Sequence, residues 1–129
     1  MAKKIYPHWL RAIRIREDMA WTTIKNTPTG EWGALEDMGL LLGSPHRGQI
    51  RAALPMTTAK ELDEVVPDVR VVDIYGTDMR RMCVPILRAL EEAGEEVLGI
   101  SLSTQRMSAV TRGNNPVIDI LYSRFPMEL

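Results

Sequence analysis

The stretch over residues 69–94 constrains the fold most, because it joins a strand to an amphipathic helix through only a short turn. Val69-Arg70-Val71-Val72-Asp73-Ile74-Tyr75 has the β-branched density of a strand, and Gly76-Thr77-Asp78 supplies a turn with possible helix caps. Beyond it Met82, Cys83, Ile86, Leu87, Leu90 and Ala93 recur at three- and four-residue intervals, while Arg88, Glu91 and Glu92 fall on the other side. Such a helix has one apolar stripe and must cover a sheet. Pro85 sets its start: a proline in a helix interior costs about 3 kcal/mol but is nearly free in the first turn, so the spacing predicts a helix beginning near Met82 and not earlier. Gly94 suits the left-handed position that closes a helix.

The flanks extend this unit. Val97-Leu98-Gly99-Ile100-Ser101-Leu102-Ser103 alternates as a strand, residues 106–111 form its hairpin partner, and Arg112-Gly113-Asn114-Asn115 is a turn. Asn115 as N-cap with Pro116 at the first helical position opens a last helix through Val117, Ile118, Leu121 and Phe125. Upstream, residues 9–24 are rich in β-branched and aromatic residues on either side of Glu17-Asp18, which predicts two short strands or one bent strand. Turn formers fill 26–30, a short helix is expected over 32–42 before Gly43 and Pro45, and 49–54 is a further strand. Thr57 or Thr58 would cap a helix over 59–65 that Pro67 terminates. The order β, α, β, β, α thus occurs twice, the first copy lacking one strand, with residues 1–67 as a degenerate or accessory segment and 68–129 as the complete module of what is one compact domain overall.

A chain of 129 residues can bury roughly two-thirds of its unfolded surface, enough for a core without staples. With 16 basic and 17 acidic side chains it carries a net charge of -1, which gives no field that would select nucleic acid or an anionic membrane. Cys83 is the single cysteine and cannot form an intrachain disulfide, the opening MAKKIYPHWLRAIRIRE has no apolar run of signal-peptide length, and no window approaches a membrane span. A cytoplasmic protein is expected.

Few residues could carry chemistry. His8 and His46 are the only histidines, and no nucleophile–base spacing or cluster of metal ligands is present, so no catalytic residue, metal or cofactor is expected. Cys83 lies on the apolar stripe and reads as a small hydrophobe. Gly30-Glu31-Trp32-Gly33 lacks the length and the lysine of a phosphate loop. The turn over 76–81 is the better candidate. It stands between a strand and a helix N-terminus, where free N–H groups favour an anion, and Arg80 and Arg81 increase that preference. Thr77, Asp78, Arg80 and Arg81 are therefore candidate ligand-binding residues, with Ser101, Ser103 and Thr104 as further hydroxyl contacts. The plainer alternative is that Asp78 caps the helix and pairs with Arg81 at the surface, while the hydroxyls face solvent.

Residues 71–94, followed by Ile100-Ser101-Leu102-Ser103-Thr104-Gln105-Arg106-Met107-Ser108-Ala109-Val110, resemble an ACT domain, most closely the regulatory tail of aspartate kinases. The likeness extends over about 68–125. It implies an α+β, ferredoxin-like βαββα module preceded by a degenerate one. It also implies a non-catalytic role: binding a small amino acid or carboxylate, pairing as a homodimer through a sheet edge, or serving a catalytic subunit of amino-acid biosynthesis. In two respects the chain departs from that family: it has Arg80-Arg81 where the family places Pro-Gly before its helix, and between Gly33 and Gln49 it has no second strand carrying the polar residues that such domains turn toward an effector. A small lyase or isomerase acting on a carboxylate, with Arg80 or Arg81 as the anion clamp, is the alternative, and a structural partner protein the third.

Overall fold

The structure is a computed structural model that describes residues 9–25, 40–41, 49–59 and 64–126. Within them lie strands β1 (Leu10–Lys25), β2 (Leu40–Leu41), β3 (Gln49–Pro55), β4 (Glu64–Gly76), β5 (Glu96–Leu102) and β6 (Arg106–Arg112), and helices α1 (Met56–Ala59), α2 (Met79–Glu92) and α3 (Val117–Arg124). The strands form one antiparallel sheet in the order β2-β3-β1-β4-β6-β5. The run β4, α2, β5, β6, α3 is the predicted βαββα unit. Its strands with β1 follow the order β1-β4-β6-β5, the ferredoxin-like order, in which the N-terminal strand takes the place usually held by a final one.

The stripe read from the sequence is the buried face of α2: Met79, Met82, Cys83, Ile86, Ala89 and Leu90 are covered, and they join Val72 and Ile74 of β4, Met107 and Ala109 of β6, and Val117 and Leu121 of α3 in the main core. Gly94 closes the helix at φ +92°. The helix nevertheless begins at Met79, a full turn earlier than Pro85 predicts. Met79 is fully buried and its N–H donates to the Thr104 carbonyl at 2.7 Å, so the neighbouring hairpin fixes the first turn. Pro85 removes the N–H that would reach the carbonyl of Arg81, but Arg81 stands on the solvent side, so the lost bond does not open the core.

A second core fills the opposite face of the curled sheet, from Met19, Ala53, Val69, Val71 and Val110 with Trp21, Val66 and Leu98 against them. Trp21 of β1 reaches β5, where a Cβ on Gly99 would stand 2.7 Å from its Cη2 atom, so only glycine admits the indole there.

β1 is one bent strand. Asp18 at φ +56° and Asp68 at φ +55° are bulge residues on facing strands. Arg16 pairs with Val71, Met19 with Val69 and Trp21 with Val66: β1 carries one extra residue before the middle pair and β4 one extra after it. Each extra residue reverses the alternation, so Ile13 and Ile15 face the helices while Met19 and Trp21 face the second core.

Three expectations are corrected. Leu40 and Leu41, expected at the end of a helix, pair as β2 with Ala53 and Ala52 of β3; the rest of that helix lies outside the described residues, as do His8 and His46. The helix expected over 59–65 is a single turn at Met56–Ala59 among the described residues, and Glu64 and Val65 already belong to β4. Pro67 sits inside that strand, exposed beside the Asp68 bulge, where the ladder is interrupted and a missing N–H costs little. Last, α3 starts at Val117 with Pro116 before it, and Asn115 does not cap it because its side chain is used elsewhere.

Candidate functional site

The β4–α2 turn is held from two sides. Gly76 N–H donates to the Gln105 carbonyl at 3.0 Å and Met79 N–H to that of Thr104, which ties it to the β5–β6 hairpin. Thr77 N–H donates to the Trp9 carbonyl at 3.0 Å, and Trp9 N–H returns a bond to Thr77 Oγ1 at 2.9 Å. Thr77, Asp78, Ser103 and Thr104, separate in sequence, therefore stand around one corner of the fold, beside the half-exposed Trp9.

Asp78 precedes α2 without a side-chain capping bond and pairs with Arg81 Nε at 3.4 Å. The surface pair is present and the cap is not. Arg81 is 77% exposed and Arg80 is exposed beside it. Ser103 closes the hairpin, its Oγ exchanging bonds of 3.2 Å with the backbone of Arg106. Ser101 is not brought to this corner: it pairs across the sheet with Ser108, on the face away from the helices. Three backbone donors of the turn are already satisfied by protein carbonyls, so an anion here would be held chiefly by the guanidinium groups of Arg80 and Arg81, the latter shared with Asp78. In chemical terms this corner can hold a carboxylate, with Asp78 placed for a cation.

Two buried polar clusters escaped the sequence reading. Glu95 is 3% exposed in the α2–β5 turn. Its carboxylate accepts from Arg70, from Asn115 Nδ2 at 2.7 Å and from Thr111 Oγ1 at 3.2 Å, and Arg70 also donates to the Asn115 carbonyl at 3.1 Å. Burial alone would raise its pKa, but the bonds from Asn115 and Arg70 and the guanidinium charge outweigh that and hold it below the ordinary carboxylate value. Asp73, at the centre of β4, accepts from Arg16 Nε at 3.0 Å and Nη2 at 3.3 Å and from Ser108 Oγ at 2.6 Å. Neither cluster has a local sequence signal, since each joins residues from separate strands and turns. Cys83 is buried and burial pushes its thiol pKa up, as expected of a core residue. Among the described residues no group of three or more His, Cys, Asp or Glu could hold a metal, and no helix is long and apolar enough to cross a membrane.

The fold is that of aspartate kinase regulatory regions. The regulatory subunit of aspartate kinase from Thermus thermophilus, in a ligand-free form, matches with a TM-score of 0.57 and 14% identity over 91% of this chain and 97% of that one. The corresponding subunit from Thermus flavus matches at 0.51 and 17%, over 80% and 88%. Aspartate kinase from Clostridium acetobutylicum matches at 0.63 and 12%; 95% of this chain corresponds to 36% of that enzyme. No family model and no curated protein matches the sequence. At these identities the likeness establishes an α+β, ACT-like fold.

Proposed function

We propose that the chain is a cytoplasmic, non-catalytic regulatory protein, which binds a free amino acid or small carboxylate at the β4–α2 corner and serves a catalytic chain of amino-acid biosynthesis. The observation that carries this reading is the match to nearly the whole length of a regulatory subunit of aspartate kinase. The corner supports it: an α-amino acid could exchange into the Asp78–Arg81 pair, its carboxylate on Arg81 and Arg80 and its ammonium on Asp78, with Thr77, Ser103 and Thr104 alongside. Residues 68–129 are the module that binds, and 1–67 a degenerate or accessory copy.

A ligand confined to the folded state adds about 2.7 kcal/mol at a hundred times its dissociation constant, which raises the melting temperature of a chain this size by several degrees, roughly 5 °C or more. A thermal-shift screen of the common amino acids and central carboxylates should find such a compound. Because a charge-assisted contact is worth about 1.5–3 kcal/mol, Arg81→Ala should weaken it roughly ten-fold or more without unfolding the protein. No shift with any compound, or an equal shift in both proteins, rejects the site.

Self-association belongs to the same proposal. Among the described residues nothing pairs with the outer edge of β5, and Ile100 and Leu102 on that strand are 37% and 40% exposed, so pairing β5 with its copy would satisfy the edge and cover both. Sedimentation at micromolar concentration should show a dimer or larger; a single 14.6 kDa species would reject it.

A further inference from the structure

The face of the sheet turned away from the helices changes character along its length. At one end it is closed by the second core, with Trp21 over Gly99. At the other, strand pairing sets out two polar rows. Arg14, Asp73, Ser108 and Ser101 lie opposite one another across β1, β4, β6 and β5; the next row is Ala12, Tyr75 and Arg106. Arg16 adjoins the first row and is committed to Asp73. Asp73 and Ser108 are buried beneath this surface, whereas Ala12 and Arg14 are exposed and Tyr75, Arg106 and Ser101 half-buried, so Arg14, Tyr75 and Arg106 are the side chains that meet solvent here.

Among the described residues three arginines and one aspartate leave this end at +2, on a chain whose net charge is -1. The acid is already paired, so Arg14 and Arg106 supply the excess. Arginine and tyrosine are enriched at interface centres and lysine and glutamate depleted there; among the described residues these rows carry the first two and neither of the last. From strand spacing, Arg14 and Arg106 lie roughly 12 Å apart, two strands and one row, which suits carboxylates four residues apart on an extended chain, about 13 Å. Four strands span only about 15–20 Å, room for a segment and too little for a domain surface.

We propose that this end of the face turned away from α2 and α3 docks a short acidic segment of another protein chain, its carboxylates on Arg14 and Arg106 and its backbone against Tyr75. The assignment does not rest on amino-acid binding, whose charged residues, Asp78, Arg80 and Arg81, stand at the start of α2. The test uses the full chain and a fluorescently labelled oligoglutamate peptide, followed by anisotropy at low and physiological salt. Binding should weaken with salt, fall by roughly ten-fold or more in Arg14→Glu/Arg106→Glu, and survive in Arg80→Glu/Arg81→Glu, with unchanged circular dichroism in both variants. No binding by the wild type, equal loss in both variants, or tighter binding of a single-stranded oligonucleotide than of the peptide would overturn the assignment. A failed amino-acid screen would leave it standing.

Discussion

Glu95→Ala should destabilise the protein by about 3–5 kcal/mol, as large an effect as any single substitution is expected to have here. The carboxylate is 3% exposed and is the common acceptor for Arg70 of β4, Thr111 of β6 and Asn115 in the turn before α3. Truncating it leaves the Arg70 guanidinium, whose side chain is only 12% exposed and whose Nε already has no acceptor, as an uncompensated buried charge. Exposed Glu96, the next residue, has no such role, and Glu96→Ala should change stability by no more than about 0.5 kcal/mol. Urea unfolding of the two variants at neutral pH compares them directly. The same cluster gives the wild type an acid limit. The pKa of Glu95 is lower in the folded chain than in the unfolded one, so the unfolded state binds the proton more readily. Its contribution is complete above the unfolded value, about 4.3, and is lost as pH falls through the lower folded value. Wild type should lose stability steeply below about pH 4, and Glu95→Gln, already weaker, should lose less over that interval. Parallel pH profiles for the two proteins would mean that Glu95 is not the group responsible.

Leu90→Ala should cost about 2–5 kcal/mol, from lost contacts and the cavity left behind. Leu90 is fully buried between α2 and the sheet, among Ile86, Val72, Met107 and the residues of α3. Glu91, one position on, is exposed, and Glu91→Ala should leave the unfolding midpoint nearly unchanged. Equal midpoints for the two variants would contradict the phase in which α2 meets the sheet.

That phase was legible in the sequence because it is periodic: spacing alone named Met82, Cys83, Ile86 and Leu90 as the inward stripe. The β5–β6 hairpin and the bend in β1 at Glu17-Asp18 were legible for the same reason, as local alternation and its interruption. What escaped depends on partners distant in the chain. Pro85 argued for a late helix start, but the tie from Met79 to Thr104 across the fold outweighs it. Asn115 looked like a cap because its neighbours are Pro116 and an apolar run, yet a buried carboxylate twenty residues earlier takes its amide. Glu95-Glu96 reads as a solvated acidic pair until Arg70 is brought beside it by the sheet. At the candidate corner, the turn and the hairpin hydroxyls were each visible; that Ser103 and Thr104 share the corner while Ser101 points to the other face follows only from strand register.

The facing irregularities at Asp18 and Asp68 tie two distant points of the chain into one unit of length variation. Their register offsets cancel, so residues 12–16 and 21–23 keep one common register with β4 only while both extra residues are present or both absent. Deleting one alone would slide one half of the ladder by a residue and turn its buried side chains to solvent, Trp21 among them, whereas deleting both would shorten the strands and keep every remaining pair in place. Insertions and deletions in relatives of this chain should therefore occur at these two places together, and a designed chimera that joins its two halves to other sequences should be cut so that both bulges come from the same parent.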